Sequence, residues 1–281
     1  MIRGWGFGGD GPIALLHHAN GMCAATWAPV AVGLQSNFRV VAIDACGHGD
    51  SEHLSVPQDY DWRFLVSDLY GVAEQLLDES GQSVISLGIG SSFGGIITAG
   101  TEGARPGLFE RLMLLDPPIH PTQDLIDALG LGQEAEPPSR RDQLVTQTLR
   151  RRVQWPSREA ARRAWRDKPL FAGWRDDAFD LYLDEGMADI PDGSVQLKYP
   201  PEVEAHIFRT TGSFGPLEYA PGVNIPECLV RAGRRFFPAE FLLRIAALFP
   251  QGDYLELSGG HMLPLKVPES VIEQVLQWRS R

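Results

Sequence analysis

The hydrophobic pattern changes character along the chain. Four runs are continuously apolar and rich in β-branched residues: Pro12–His18 (PIALLHH), Phe38–Asp44 (FRVVAID), Ser83–Ile89 (SVISLGI) and Arg111–Asp116 (RLMLLD). Strands covered on both faces look like this, because neither face is left for polar residues. Between the second and third runs lies WRFLVSDLYGVAEQLLDES, Trp62–Ser80, which reads as a helix. Strand–helix alternation predicts an α/β class: a mostly parallel central sheet with helices on both faces.

From about Pro117 to Pro226 the alternation stops. The chain there is charge-rich, helical in period and weak in strands, opened by Pro117-Pro118 and closed by PGVNIP. Alternation then resumes with Glu227–Gly233 (ECLVRAG), a helix from about Pro238, Asp253–Gly259 (DYLELSG) and a final helix over Pro268–Trp278. An insertion of this length between two strands of one sheet reads as a helical cap. The expected division is a core of residues 1–117 and 226–281, with a cap of residues 118–225 inserted after the sixth strand. Only about a dozen residues precede the first clear strand, so the opening of the sheet is expected to be abbreviated.

Composition narrows the function. The 281 residues are enough for a sizeable core. A net charge of -11 lacks the basic excess of a nucleic-acid binder. Cys23, Cys46 and Cys228 are too few and too scattered for a disulfide framework. There is no CxxC, no HExxH, and no GxGxxG opening a helix after the first strand, so neither a metal nor a cofactor is expected. No apolar run reaches membrane-spanning length and MIRGWGFGGDGP has no signal core, so a cytoplasmic protein without a membrane span is expected. Within the cap, Arg140, Arg141, Arg150–Arg152, Arg158, Arg162, Arg163 and Arg166 precede Asp176, Asp177, Asp180, Asp184 and Glu185. That order predicts two solvated helix faces that attract each other; a funnel for anionic substrates is the alternative.

Chemistry concentrates in GIGSSFGG, Gly88–Gly95. A tight strand-to-helix turn presents one side chain at its apex and needs small residues two places either side. Ser92 at the apex puts Gly90 and Gly94 there; Ser91 would put Ile89 and Phe93 there. Ser92 is therefore the candidate nucleophile, and a serine hydroxyl needs a base. Of seven histidines, His261 in SGGHMLPLKVPE follows the last apolar strand. That places it at the carboxyl edge of the sheet with Ser92, where sites form in open parallel sheets.

These segments resemble the α/β-hydrolase fold in the family's own order: HANG at His18–Gly21 with Trp27 downstream, DACGHGDS at Asp44–Ser51, GSSFGG at Gly90–Gly95, RLMLLDPP at Arg111–Pro118, and GGHMLPLKVPE at Gly259–Glu269. The resemblance implies an oxyanion hole from the backbone amides of Asn20, with Gly21 as a second possibility, and Phe93. It gives His48 a structural role. It also implies an acid after the strand that follows the cap, where this chain reads VRAGRRFFPAE, Val230–Glu240. Arg234, Arg235, Phe236 and Phe237 occupy that place, and Glu240 lies too far into the helix. Asp116, ending the strand after the elbow, is the position some members of the fold use instead. It also reads as an ordinary turn residue, and Asp44 as a turn anchor.

The resulting expectation is a serine hydrolase acting on a hydrophobic carboxylic ester or lactone. Ser92, His261 and Asp116 form its triad, and a homodimer is left open. Aromatic residues of the cap, Trp155, Trp165, Phe171, Trp174, Phe179, Tyr182, Phe208 and Phe214, form its core and can line an apolar pocket. A carbon–carbon hydrolase or cofactor-free perhydrolase on the same triad is one alternative. A non-catalytic ligand-binding protein with a decayed triad is another.

Overall fold

The computed structural model describes residues 1–131, 138–233 and 238–279. Seven strands form the central sheet: β1 (Arg3–Gly8), β2 (Ile13–His17), β3 (Arg39–Asp44), β4 (Leu87–Ser91), β5 (Leu112–Leu115), β9 (Glu227–Ala232) and β10 (Gly252–Leu257), in the order β1-β3-β2-β4-β5-β9-β10. Three further strands, β6 (Gln154–Trp155), β7 (Met187–Asp189) and β8 (Val195–Leu197), make a small antiparallel sheet elsewhere. In the central sheet only the β1–β3 pairing is antiparallel.

The apolar runs explain the layering. In β2, Ile13 and Leu15 pack on one face while Ala14 and Leu16 pack on the other, because side chains alternate across a strand. The first face is covered by α2 (Trp62–Ser80), α3 (Phe93–Ala104) and α10 (Ala239–Ala246); the second is covered by α1 (Ala28–Leu34) and α12 (Pro268–Arg279). Helix α2 turns Trp62, Leu65, Val66, Leu69 and Ala73 inward, a helical stripe capped by Asp61 at its start and Gly81 in a left-handed conformation at its end. Helix α3 is buried from Phe93 through Glu102, which accounts for its all-round apolar character.

Two expectations are corrected. The long insertion follows the fifth strand in the chain, not the sixth, since a single short strand, β1, stands ahead of β2. Its glycine-laced sequence RGWGFG hides an alternation in which Trp5 and Phe7 pack on the second face. The 118–225 segment is also not wholly helical: α4 (Gln123–Ala128), α5 (Pro138–Leu149), α6 (Arg158–Trp165), α7 (Asp176–Glu185), α8 (Pro201–Thr210) and α9 (Pro216–Tyr219) are interrupted by the small sheet. Strands of two or three residues are too short to impose a visible period on the sequence.

Within that segment Trp155, Trp165, Phe171, Trp174, Phe179 and Tyr182 form one aromatic cluster, with Trp165 and Phe171 stacked at 5.4 Å. Phe214 instead packs with the first-face core. The basic and acidic halves meet: Arg162 pairs with Asp180, and Arg166 with Asp176 at 2.6 Å.

Candidate active site

The parallel strands β2, β4, β5, β9 and β10 end at one edge of the sheet, and the candidate residues follow four of them. Ser91 of β4 pairs with Leu115 of β5, and Leu115 pairs with Val230 of β9. The next residue on each of the first two strands is Ser92 and Asp116. The ladder continues through them: the Ser92 amide donates to the Leu115 carbonyl at 2.8 Å, and the Asp116 amide to the Val230 carbonyl at 2.7 Å.

Ser92 sits at φ 53 and ψ -120, between the last residue of β4 and the first of α3. Such a backbone costs about 1–3 kcal/mol and persists only where packing dictates it. The packing is visible in the flanking glycines. A Cβ on Gly90 would lie 2.3 Å from the Gly94 carbonyl oxygen, and one on Gly94 would lie 2.4 Å from that of His17. Neither position tolerates a side chain, so Ser92, not Ser91, is at the apex. Ser91 is buried, and its hydroxyl has no hydrogen-bond partner among the described residues.

His261 lies in the loop between β10 and α11 (Leu263–Lys266). Its Nε2 is 2.8 Å from Ser92 Oγ and its Nδ1 is 2.8 Å from Asp116 Oδ2. The other carboxylate oxygen, Oδ1, accepts from the Ala232 amide at 3.2 Å, at the end of β9. Asp116 is 2% exposed and has φ 52. Together with Ser92 it is one of only two non-glycine residues with positive φ among those described. The Arg234–Phe237 stretch, the place the sequence resemblance implies for the acid, lies outside the described residues. Glu240 is on α10, paired with Arg244 at 2.9 Å.

The loop after β2 carries Asn20. Hydrogen bonds fix the peptide whose N–H belongs to Asn20: its carbonyl, that of Ala19, accepts from His18 Nδ1 at 2.8 Å and from the Met22 amide at 3.0 Å. A planar trans peptide then fixes the opposite direction of the N–H. Phe93 is the first residue of α3, so its amide has no acceptor within the helix. Gly21 is different: its amide donates to His48 Nε2 at 3.2 Å and is already engaged. Of the amides named from the sequence, that of Gly21 is thus taken up by His48. Asp44 anchors the following turn, accepting from the Ala24 amide at 2.7 Å and the Asp50 amide at 3.1 Å.

Behind the elbow three histidines pack together. His17, His18 and His48 are each no more than 2% exposed, and the His18 and His48 rings lie 4.7 Å apart. Burial holds all three imidazoles neutral: His17 is lowered to about 3, with the neighbouring His18 adding to the effect; His18 is lowered despite the charge of Asp44; and His48 is lowered well below its usual value. Neutral rings can both accept and donate. His18 accepts from the Ala45 amide at 2.9 Å on Nε2 while Nδ1 holds the Ala19 carbonyl. Sequence reasoning found none of these supporting roles except a structural one for His48; the HH pair ending an apolar run was the only available signal. Among the described residues no group of three or more His, Cys, Asp or Glu is placed to hold a metal ion, and no helix is long and apolar enough to cross a membrane.

The sheet order, the strained serine and the hydrogen-bonded histidine describe one fold family, and the sequence agrees. The family model described as the Alpha/beta hydrolase family matches residues 14–274, and the chain belongs to that family. Among characterised proteins it is similar to the Abhydrolase domain-containing protein AFT2-1 of Alternaria alternata, 34% identical over 117 residues that span 40% of this chain and 39% of that protein. It is also similar to the type I acyl-CoA thioesterase mpaH of Penicillium roqueforti (strain FM164), 29% identical over 152 residues that span 54% of this chain and 32% of that protein. The match thus covers well under half the length of either relative. Among solved structures, that of E-2-(acetamidomethylene)succinate hydrolase superposes with a TM-score of 0.78 at 18% identity, covering 100% of this chain and 94% of that one. At that identity the likeness is one of fold.

Proposed function

We propose that this chain is a serine hydrolase that cleaves the acyl bond of a hydrophobic carboxylic ester, a lactone or thioester included. The observation that carries the reading is the unbroken line from Ser92 Oγ through His261 to Asp116, with 2.8 Å at each link. In this reading His261 Nε2 takes the Ser92 proton as Oγ attacks the carbonyl carbon. Asp116 keeps the Nδ1 proton in place and stabilises the imidazolium. The Asn20 and Phe93 amides receive the developing oxyanion, each worth about 3 kcal/mol of barrier. His261 then returns its proton to the leaving oxygen or sulfur. Water, deprotonated by the same imidazole, cleaves the acyl-enzyme and frees Ser92.

A relative named as an acyl-CoA thioesterase supports extending the bond from oxygen to sulfur esters. Residues 118–225 act as a cap over the core of 1–117 and 226–281. Their aromatic cluster includes Ala19 and Met22, beside the Asn20 amide, and Met262, beside His261. Apolar walls meeting the reacting groups favour an apolar acyl or alcohol portion. An intact proton line speaks for turnover rather than for a ligand-binding protein with a decayed triad.

The test is covalent labelling. A fluorophosphonate probe labels the wild-type chain on Ser92, and Ser92→Ala abolishes both labelling and hydrolysis of p-nitrophenyl butyrate while leaving the thermal melt in place. Labelling that survives Ser92→Ala would sink the assignment.

A further inference from the structure

The loop bearing Asn20 is held from two sides, and one of those sides is the 118–225 segment. The Asn20 side chain has both of its polar ends there. Its Oδ1 accepts from the Tyr199 hydroxyl at 2.6 Å, and its Nδ2 donates to the Glu204 carbonyl at 3.3 Å. The next residue is held the same way: the Gly21 carbonyl accepts from the Tyr182 hydroxyl at 3.2 Å. Space is closed as well, since a Cβ on Gly21 would lie 3.1 Å from a Glu204 carboxylate oxygen.

Tyr199 has a second hold on the loop. Its ring stacks on His48 at 3.8 Å between centroids and 19° between planes, and His48 is the acceptor of the Gly21 amide. Tyr199 itself is fixed: its carbonyl accepts from Arg151 Nη2 at 3.4 Å, and Arg151, partly exposed, forms an ion pair with the buried Glu204. Burial raises the Tyr199 phenol well above its usual range, so it remains a donor.

From this arrangement we infer that Tyr199 is a positioning residue: through Asn20 Oδ1 it aims the Asn20 backbone amide at the reacting oxygen, coupling the 118–225 segment to the oxyanion hole. The inference rests on the hydrolase reading above. An amide that moves by a fraction of an ångström binds substrate as before and loses most of its value in the transition state. The loss therefore belongs in kcat and not in KM.

The experiment uses the full chain and p-nitrophenyl butyrate. Tyr199→Phe removes the hydroxyl and keeps the ring on His48. It is expected to lower kcat by about ten- to a hundredfold, less than or equal to removal of a whole oxyanion donor, with KM changed by less than about threefold. Asn20→Ala keeps the backbone amide and removes the clamp, so it is expected to give the same split. The double variant is expected to be no worse than the poorer single one, because both substitutions break one linkage. Multiplicative losses in the double variant overturn the inference, as does an unchanged kcat in either single variant. If Tyr199→Phe loses its cooperative melt, Asn20→Ala decides alone by the same kcat criterion. Fluorophosphonate labelling separates the two levels. A wild-type chain that is not labelled on Ser92 overturns the hydrolase reading and this inference with it. Wild-type labelling with full turnover in both variants overturns the inference alone.

Discussion

The central sheet and the 118–225 segment are held by different forces. The sheet is a backbone ladder filled by alternating apolar side chains, and its register carries Ser92 and Asp116 to adjacent strand ends. The segment packs Tyr199, Val203, Ile207 and Tyr219 into the first-face core and adds separate polar contacts that involve both side chains and backbone. Besides Tyr182, Tyr199 and Glu204, the Arg175 amide donates to the Leu265 carbonyl at 2.9 Å, Arg175 pairs with Glu269, and Lys198 pairs with Asp50 at 2.7 Å. A ladder is cooperative and rigid, whereas isolated polar contacts break one at a time. The difference teaches where to look for each kind of control: in the proposed mechanism, proton transfer belongs to the sheet edge, and the aim of the oxyanion amide belongs to the contacts with the segment.

The largest effect that tests this division is at the sheet edge. Asp116→Asn is expected to lower kcat by about 10⁴-fold, because an amide side chain that donates to Nδ1 favours the wrong imidazole tautomer. Glu240→Gln, on an exposed turn of α10, is expected to be as active as wild type. Steady-state kinetics on the two variants checks both; the reverse ranking would move the acid off the β5 strand end.

A smaller effect, on stability, comes from the opposite edge of the same sheet. Glu227 begins β9, is 0% exposed, and neither carboxyl oxygen has a hydrogen-bond partner among the described residues. Burial, together with the charge of Asp253 on β10, raises its pKa well above 4.5. The unfolded chain releases this proton first, so as pH rises past 4.5 the unfolded state gains and stability falls until the folded pKa is passed. Glu227→Gln removes this slope. Thermal melts from acid to alkaline pH are expected to show the variant gaining on wild type as pH rises; a constant gap would mean that Glu227 ionises freely in the fold.

The smallest effect lies on the segment's surface. Arg162→Ala removes the ion pair with Asp180, whose carboxylate is half exposed. Less than about 1 kcal/mol of stability and no change in kcat are expected. A large kcat loss would place that face in substrate capture and revive the anionic funnel.

Most of the candidate site was legible because its signals are local. Gly90 and Gly94 single out Ser92 through a steric rule that acts within five residues, and His261 follows from its place after the last strand. Asp116 was legible only by elimination, because one aspartate after an apolar run looks like any turn residue; its distinguishing features, a positive φ and the hold of Ala232 on Oδ1, exist only in the fold. The links from Tyr199 and Glu204 to Asn20 were out of reach. They join residues separated by 179 and 184 positions, and nothing in Tyr-Pro-Pro announces a partner. Strand β1 was missed for the opposite reason, since its glycines dilute an alternation that is present.

Ser92 and Asp116 share a positive φ that glycine would adopt with less strain. Replacing either with glycine would relax the chain locally while removing a side chain of the proposed proton line. Any screen that rewards heat resistance alone would therefore drift toward inert sequences at these two codons, and a library meant to harden this protein should hold both constant.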